Sequence, residues 1–388
     1  MAAGHAYYCF CSSERLEELK TVQQANKLPT GYDKHCRNLT IAEIDAKLAS
    51  NPKPTLRMKM PETGETTFTD SVRGVVTFKN ELVDDQIIIK SDGFPTYHFA
   101  VVVDDHLMEI THVIRGEDWM SSTPKHIQLY KYFGWEIPQF AHLPLLLNAD
   151  KTKLSKRQGD VAVEEYIKKG YLPAAMVNFV ALLGWNPGTD QEIFSLPELI
   201  QEFSLEKIHK SGAFFNLEKL DWFNQQHLRR LNAEQLVAVS LPWLIKAGLV
   251  DENVDKDWLV RALNLEKERI TTLAELPDAL KFVFVEKLEF SNPQILVWKK
   301  GTVDGAKTVL TELADFFREF SEEWSEANLE LKLKEWIVVK NYTNGEVLWP
   351  LRVALSGKEN SPGPFAIAAV LGQSKTLDRI KTAEQILL

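Results

Sequence analysis

The feature that most limits what this chain can become is a change in the spacing of its apolar residues near position 160. Before that point, short apolar runs are separated by Gly, Pro and Asp, as in the strands of an α/β unit. After it, apolar residues recur every three or four positions almost to the end, the pattern of helices that bury one face. A chain divided in this way is expected to be α/β plus all-α, with separate cores.

The first part carries a helix from about Ser13 to Asn26, opened by Ser12 or Ser13 as N-cap. Three buried strands are expected at Ile87–Lys90, Tyr97–Val103 and Ile110–Arg115, with Asp104 and Asp105 as a turn closing the second. On this reading His98, His106 and His112 are structural residues in or near strands. A helix over Thr123–Phe133 completes an α/β unit spanning roughly 81–165. In the second part, Pro173–Leu183 is an apolar helix stopped by Gly184. Ser195–Glu198 and Thr272–Glu275 have the form of capping boxes. Val309, Leu313, Phe316 and Phe320 make one helical face, and Leu377, Ile380 and Leu387 another. The longest apolar stretch, near Met176–Leu183, is far too short to span a bilayer.

A net charge of -9 argues against nucleic-acid binding only if the basic residues are spread evenly. The three cysteines, Cys9, Cys11 and Cys36, are too few and too clustered for a disulfide framework, and fit a reducing compartment. The residues after Met1 have neither the basic flank and apolar run of a secretory signal nor the arginines of a transit peptide.

The sharpest local motif is Lys153-Leu-Ser-Lys-Arg157, following the apolar run Leu145–Leu147. Three cations and a hydroxyl in five residues make a compact anion-binding element, suited to charge developing on a triphosphate. Taken alone, such a string reads as a solvated basic loop. No Gly-x-x-x-x-Gly-Lys precedes it, so it is not a Walker loop.

Its neighbours change that reading. Ser91-Asp-Gly-Phe-Pro-Thr-Tyr-His-Phe-Ala100 leads into Val103-Asp-Asp-His-Leu-Met108 and Thr111-His-Val-Ile-Arg-Gly-Glu-Asp-Trp119. His142-Leu-Pro-Leu-Leu-Leu147, the basic loop, Gln158–Val161, Gly170–Pro173 and Leu182–Pro187 follow in order, then Trp349–Gly357 and Ser361–Pro364. From Ala6 to Leu388 this series resembles the glutamyl branch of the class I aminoacyl-tRNA synthetases.

The resemblance implies a partial Rossmann-like catalytic domain with an inserted acceptor-binding domain, followed by α-helical stem-contact and anticodon-binding domains. Their expected bounds are 1–80 for the insert and 81–165 for the catalytic half, then 166–232 and 233–388. It implies a glutamate–tRNA ligase whose substrates are L-glutamate, ATP with Mg²⁺, and tRNA-Glu. Arg115 would take the glutamate side-chain carboxylate, since a guanidinium fork binds such a group through two bonds. Tyr97, His98, Phe99, Ala100 and Val101 would line the amino-acid pocket, Tyr97 being the main polar contact. Val101 stands where the family commonly has Asn, so only its backbone can hydrogen-bond there. Lys153, Leu154, Ser155, Lys156 and Arg157 would contact ATP. Lys153 and Lys156 would act in catalysis, Lys156 on the pentavalent phosphorus. Asp118 stands where the family often has Glu near the ribose or base. Lys207, Lys210, Arg229 and Arg230 are candidate contacts to tRNA backbone.

Cys9, Cys11 and Cys36 resemble a zinc knob of some family members, whose fourth ligand falls on Asn38; His35 and Tyr32 are substitutes, and a metal-free variant is the alternative. A complete family member opens with a strand, an Arg-containing turn and a His-x-Gly-His type motif at a helix N-terminus. No such series precedes Tyr7, and Gly4-His5-Ala6 does not stand in for it. The expectation is a chain without the front of its catalytic domain, with an exposed sheet edge near 87–115. A non-catalytic tRNA-binding fragment and one half of a split synthetase are the rival readings. The resemblance further implies a monomer with no membrane attachment, in the bacterial cytoplasm or alternatively the mitochondrial matrix.

Overall fold

The computed structural model describes residues 1–50, 53–148, 150–154, 162–290 and 292–387. Nine strands are found among them: β1 (Ala6–Cys9), β2 (Thr55–Met58), β3 (Glu65–Asp70), β4 (Gly74–Lys79), β5 (Ile87–Ile89), β6 (His112–Gly116), β7 (Gln139–Leu143), β8 (Leu146–Leu147) and β9 (Ala213–Phe214). The helices of the first two-fifths are α1 (Ser13–Ala25), α2 (Ile41–Ser50), α3 (Tyr97–Leu107) and α4 (Thr123–Phe133). Then come α5 (Val163–Lys168), α6 (Pro173–Gly184), α7 (Leu196–Glu202), α8 (Leu217–Arg230), α9 (Ala233–Lys246), α10 (Lys256–Asn264) and α11 (Leu276–Phe284). The chain closes with α12 (Val303–Glu319), α13 (Glu326–Val339), α14 (Asn344–Ser356) and α15 (Pro364–Ile386).

Two compact units result. The first takes Met1–Leu154, Ala181–Glu192 and Pro197–Phe215; the second takes Ile193–Leu196, Asn216 onward and the described residues from 162 to Val180.

In the first unit, a three-stranded sheet runs β1-β2-β5, antiparallel throughout, with Ala6 opposite Met58 and Leu56 opposite Ile89. A four-stranded sheet runs β4-β3-β7-β6. Its β3–β4 hairpin is antiparallel, while β7 is parallel both to β3, at Asp70–Phe140, and to β6, at Arg115–His142. Both sheets therefore draw strands from either side of residue 80. β6 is the outer strand, and Ile114 on it is 49% exposed. The core beside the first sheet joins Met58, Met60, Val83 and Ile88 to Val102 of α3 and Leu129 and Tyr130 of α4.

Helix α1 begins as expected, with the Ser12 side chain accepting from the Arg15 amide. Tyr97–Val103 is not a strand but the first two turns of α3, and Asp104 and Asp105 continue that helix instead of closing a strand. The β-branched run would favour an extended chain in isolation, but its burial follows helical spacing. Phe99 and Val102 meet the core, and His106 stacks on Trp135 with ring centroids 3.9 Å apart. His98 and His106 accordingly sit on a helix, and only His112 opens a strand.

The second unit is helical around one large core, which includes Val309 and Leu313 of α12 and Ile380 and Leu387 at the end of the chain. Phe316, Phe320 and Leu377 pack on its margin. The Thr272–Glu275 capping box is formed, and it opens a short 3₁₀ turn ahead of α11. Gly170 is required where it stands: its φ is +86°, and a Cβ there would lie 2.5 Å from the Ala274 amide nitrogen. No described helix is long and apolar enough to cross a membrane.

Candidate active site

The polar groups of five elements meet at the carboxyl ends of the parallel strands, the end at which open α/β sheets hold ligands. Arg115 comes from β6, His142 from the register position beside it on β7, and Asp70 from the last position of β3. The first turn of α4 brings Thr123 and His126, and that of α3 brings Tyr97 and His98.

Arg115 Nε donates to His142 Nε2 at 3.1 Å, Nη2 donates to Thr123 Oγ1 at 2.9 Å, and Nη1 lies 3.2 Å from His126 Nδ1. A guanidinium can only donate, so both imidazole nitrogens facing it are acceptors. That assignment runs outward consistently. His142 carries its hydrogen on Nδ1, which lies 2.6 Å from Asp70 Oδ2. His126 carries its hydrogen on Nε2, which lies 3.0 Å from His98 Nδ1. All three imidazoles are therefore neutral.

The electrostatics agree. Burial, reinforced by the Arg115 charge, pushes His126 down to about 3. Burial and the Lys125 and Arg115 cations lower His98. Burial lowers His142 despite the opposing bond to Asp70. Asp70 is itself buried, but bonds from the His142 ring and from the amides of Arg73, His142 and Val72 outweigh that burial and hold its carboxyl below the ordinary range.

Among the described residues, no carboxylate is within ion-pair distance of Arg115. Its acidic neighbours are taken elsewhere: Glu117 pairs with Arg73 at 2.6 Å, and Asp118 with Lys153 at 2.7 Å. Burial lowers the Arg115 pKa, while Tyr97, Asp105 and Asp70 act to raise it. A guanidinium has five N–H groups, of which three are used by His142, His126 and Thr123, with Tyr97 a further hydrogen-bonding neighbour. Such a half-buried, uncompensated cation is a site for an anion.

The expected pocket residues divide. Tyr97 is 52% exposed, its ring 4.8 Å from that of Trp119, and His98 joins the imidazole chain. Phe99 and Val101 instead turn toward the core, and Ala100 is half-buried. Asp70, Thr123, His126 and His142 were not expected here. His142 stood in a recognised motif, yet nothing in a sequence shows from which group an imidazole will accept.

Lys153 and Leu154 are placed by the short β8–β9 pair: the Leu154 amide donates to Leu146 O at 2.8 Å, and Lys153 bridges Leu147. Through Asp118, Lys153 is brought to the loop that follows β6. Both partners of that pair are about half exposed, so it adds little stability. Ser155, Lys156 and Arg157 lie outside the described residues. Of the four cations expected to meet tRNA, Lys207 donates to Pro187 O, Arg229 pairs with Glu268 at 2.7 Å, and Arg230 reaches Ile193 O; Lys210 is exposed.

The cysteines converge. Their three Sγ atoms lie within 4.8 Å of one another, with Cys11 and Cys36 3.7 Å apart. Tyr32 Oη is 3.4 Å from Cys9 Sγ and 3.5 Å from Cys11 Sγ. Tetrahedral zinc places two sulfurs about 3.8 Å apart, and sulfur and oxygen about 3.5 Å apart. The donor set fits. His35 and Asn38 are both exposed, and His35 is not part of the cluster. Although burial opposes it, hydrogen bonds from Tyr32, Arg57 and the Cys11 amide bring the Cys9 thiol down to about 7.

Parallel strands that end in a ligand-seeking arginine, with a lysine shortly after the next strand, β8, define a class I synthetase catalytic unit, and the comparisons agree. The family described as "tRNA synthetases class I (E and Q), catalytic domain" matches residues 1–222, and an "Anticodon binding domain" matches 235–384. The glutamate–tRNA ligase of Alkaliphilus metalliredigens is 43% identical over 99% of this chain and 78% of its own length. That of Clostridioides difficile is 43% identical over 97% and 77%. A crystal structure of the glutamate–tRNA ligase of Elizabethkingia meningosepticum, in complex with its amino acid, superposes with a TM-score of 0.86 at 32% identity, over 99% of this chain and 80% of that one. The chain belongs to the glutamate–tRNA ligase family.

Proposed function

We propose that this chain joins L-glutamate to tRNA-Glu in two steps. A glutamate carboxylate oxygen attacks the α-phosphorus of ATP, releasing pyrophosphate and leaving glutamyl-adenylate. A hydroxyl of the terminal adenosine of the tRNA then takes the glutamyl group and releases AMP. The observation that carries this reading is Arg115, held by three neutral acceptors with no carboxylate paired to it among the described residues. It receives the side-chain carboxylate of glutamate, and Tyr97 closes the pocket beside it. Lys153, Lys156 and Arg157 supply positive charge to the phosphates of Mg²⁺-bound ATP, Ser155 adds a hydroxyl donor, and Lys156 acts at the reacting phosphorus. The helical residues from 235 onward meet the anticodon, with Lys207, Lys210, Arg229 and Arg230 nearer the stem. Zinc, held by Cys9, Cys11, Cys36 and Tyr32, ties the end of β1 to the segment after α1. The enzyme acts as a monomer in the bacterial cytoplasm, as suits a chain whose relatives named above are bacterial.

Pyrophosphate exchange with ATP, glutamate and tRNA-Glu tests the reading. Arg115→Lys should raise the KM for glutamate by about tenfold or more, because an ammonium cannot reproduce the planar fork. Exchange with an unaltered glutamate KM in that variant would remove Arg115 from its role.

A further inference from the structure

We propose that the neutral cage around Arg115, and not the arginine alone, makes this pocket prefer a carboxylate to a carboxamide; the inference rests on Arg115 being the ligand of the glutamate side chain. An arginine in a protein is usually oriented by carboxylates, which also neutralise it. Here the three atoms that orient the guanidinium, His142 Nε2, His126 Nδ1 and Thr123 Oγ1, carry no net charge. The cation is fixed in its plane without being satisfied. Its charge, unpaired by any carboxylate among the described residues, and the N–H groups that His142, His126 and Thr123 do not use, which face Tyr97, remain for the ligand. A carboxylate offers them two charged acceptors. A carboxamide offers one neutral acceptor and turns its own N–H groups toward donors, leaving buried polar groups unpaired.

Asp70 is a positioning residue in this scheme. Its carboxylate sits one imidazole away from Arg115 and holds the His142 hydrogen on Nδ1, which aims the Nε2 lone pair at the guanidinium. The other tautomer would point an N–H at an N–H. His98 does the same for His126 by accepting from its Nε2. The remaining charged groups acting on this cluster are Lys125, Arg73 and Asp105; Asp105 affects Arg115 only through space.

Three substitutions at one position separate geometry from charge. His126→Leu removes the acceptor and should raise the glutamate KM in tRNA-Glu aminoacylation about tenfold, with the ATP KM within about twofold. His126→Asn places an amide oxygen where Nδ1 stood and should recover most of that loss. His126→Asp keeps an acceptor but pairs the cation, and should lower the preference for glutamate over glutamine by about tenfold. Nitrogen-15 spectra of the full chain, which need no turnover, should show His142 as the Nδ1–H tautomer and His126 as Nε2–H. An unchanged glutamate preference in His126→Asp, or the opposite tautomer at His142, overturns the proposal. If His126→Leu leaves the glutamate KM unchanged while Arg115→Lys raises it, the cage fails and the parent reading stands. If neither variant moves it, or the unmodified chain does not charge tRNA-Glu with glutamate, both readings fall together.

Discussion

At the scale of single residues, the buried histidines turn pH into a probe of the site. His126 titrates near 6.5 in an unfolded chain and at about 3 in the folded one, chiefly because burial disfavours its charged form. Between those values only the unfolded chain binds the proton, so folding stability falls as pH drops from 6.5 toward 3. The slope is about 1.4 kcal/mol per pH unit for each such group. Denaturant midpoints followed from pH 7 to 4 should therefore fall less steeply in His126→Asn than in the unmodified protein, and parallel curves would contradict the neutral assignment. The metal cluster makes a second prediction at this scale. Tyr32→Phe keeps the ring beneath Arg57, whose guanidinium lies 3.7 Å from its centroid, but removes the oxygen donor. Purified protein should then hold zinc several times more weakly in chelator competition, since one of four ligands is lost; equal retention would show that Tyr32 is not a ligand. Arg115 and the cysteines were legible in the sequence because their neighbours form local motifs. The bonds linking Asp70, His98, Arg115, Thr123, His126 and His142 were not, because they join residues from five elements and depend on tautomers that only tertiary contacts determine.

At the scale of elements, α3 shows where local reading fails and why. Tyr97–Val103 is rich in aromatic and β-branched side chains that suit a pleated surface, and the alternation test cannot separate a short apolar strand from two helical turns. Packing decides it. Thr96 directs its hydroxyl to Ile87 O at 2.7 Å, tying the start of the helix to β5, and Val102 is then 1% exposed while Asp104 faces solvent. A strand would place Val102 and Asp104 on one face, and the helix separates them by about 200°. Val102→Ala should accordingly cost about 1–3 kcal/mol and Asp104→Ala under about 0.5 kcal/mol in urea unfolding. Equal costs would argue for the extended conformation. The helix matters to the site because only a helical first turn sets Tyr97 beside Trp119 and His98 against His126.

At the scale of the molecule, the change in periodicity near residue 160 anticipated separate cores, and the buried clusters bear that out in particular residues. The cluster of Met58, Met60 and Val102 shares no member with the large helical core, which draws every buried residue from Leu228 onward except Leu172 and Ala175. What the sequence concealed is that the chain does not change units once. The stretches 181–192 and 197–215 return to the first unit, a matter of tertiary pairing, as where β9 lies parallel to β8. The helical residues from 216 should nonetheless fold alone. Asn216 already caps α8, its side chain accepting from the Lys219 amide, and the loss of Leu172, Ala175 and Phe179, whose ring packs on Phe223 at 5.8 Å, removes about 6 kcal/mol of apolar burial from a much larger total. Helical circular dichroism and one cooperative urea transition are the expected properties of residues 216–388 expressed alone. A gradual, non-cooperative melt with dye-binding apolar surface would mean that the side chains lost from 172–179 complete a core that cannot close without them.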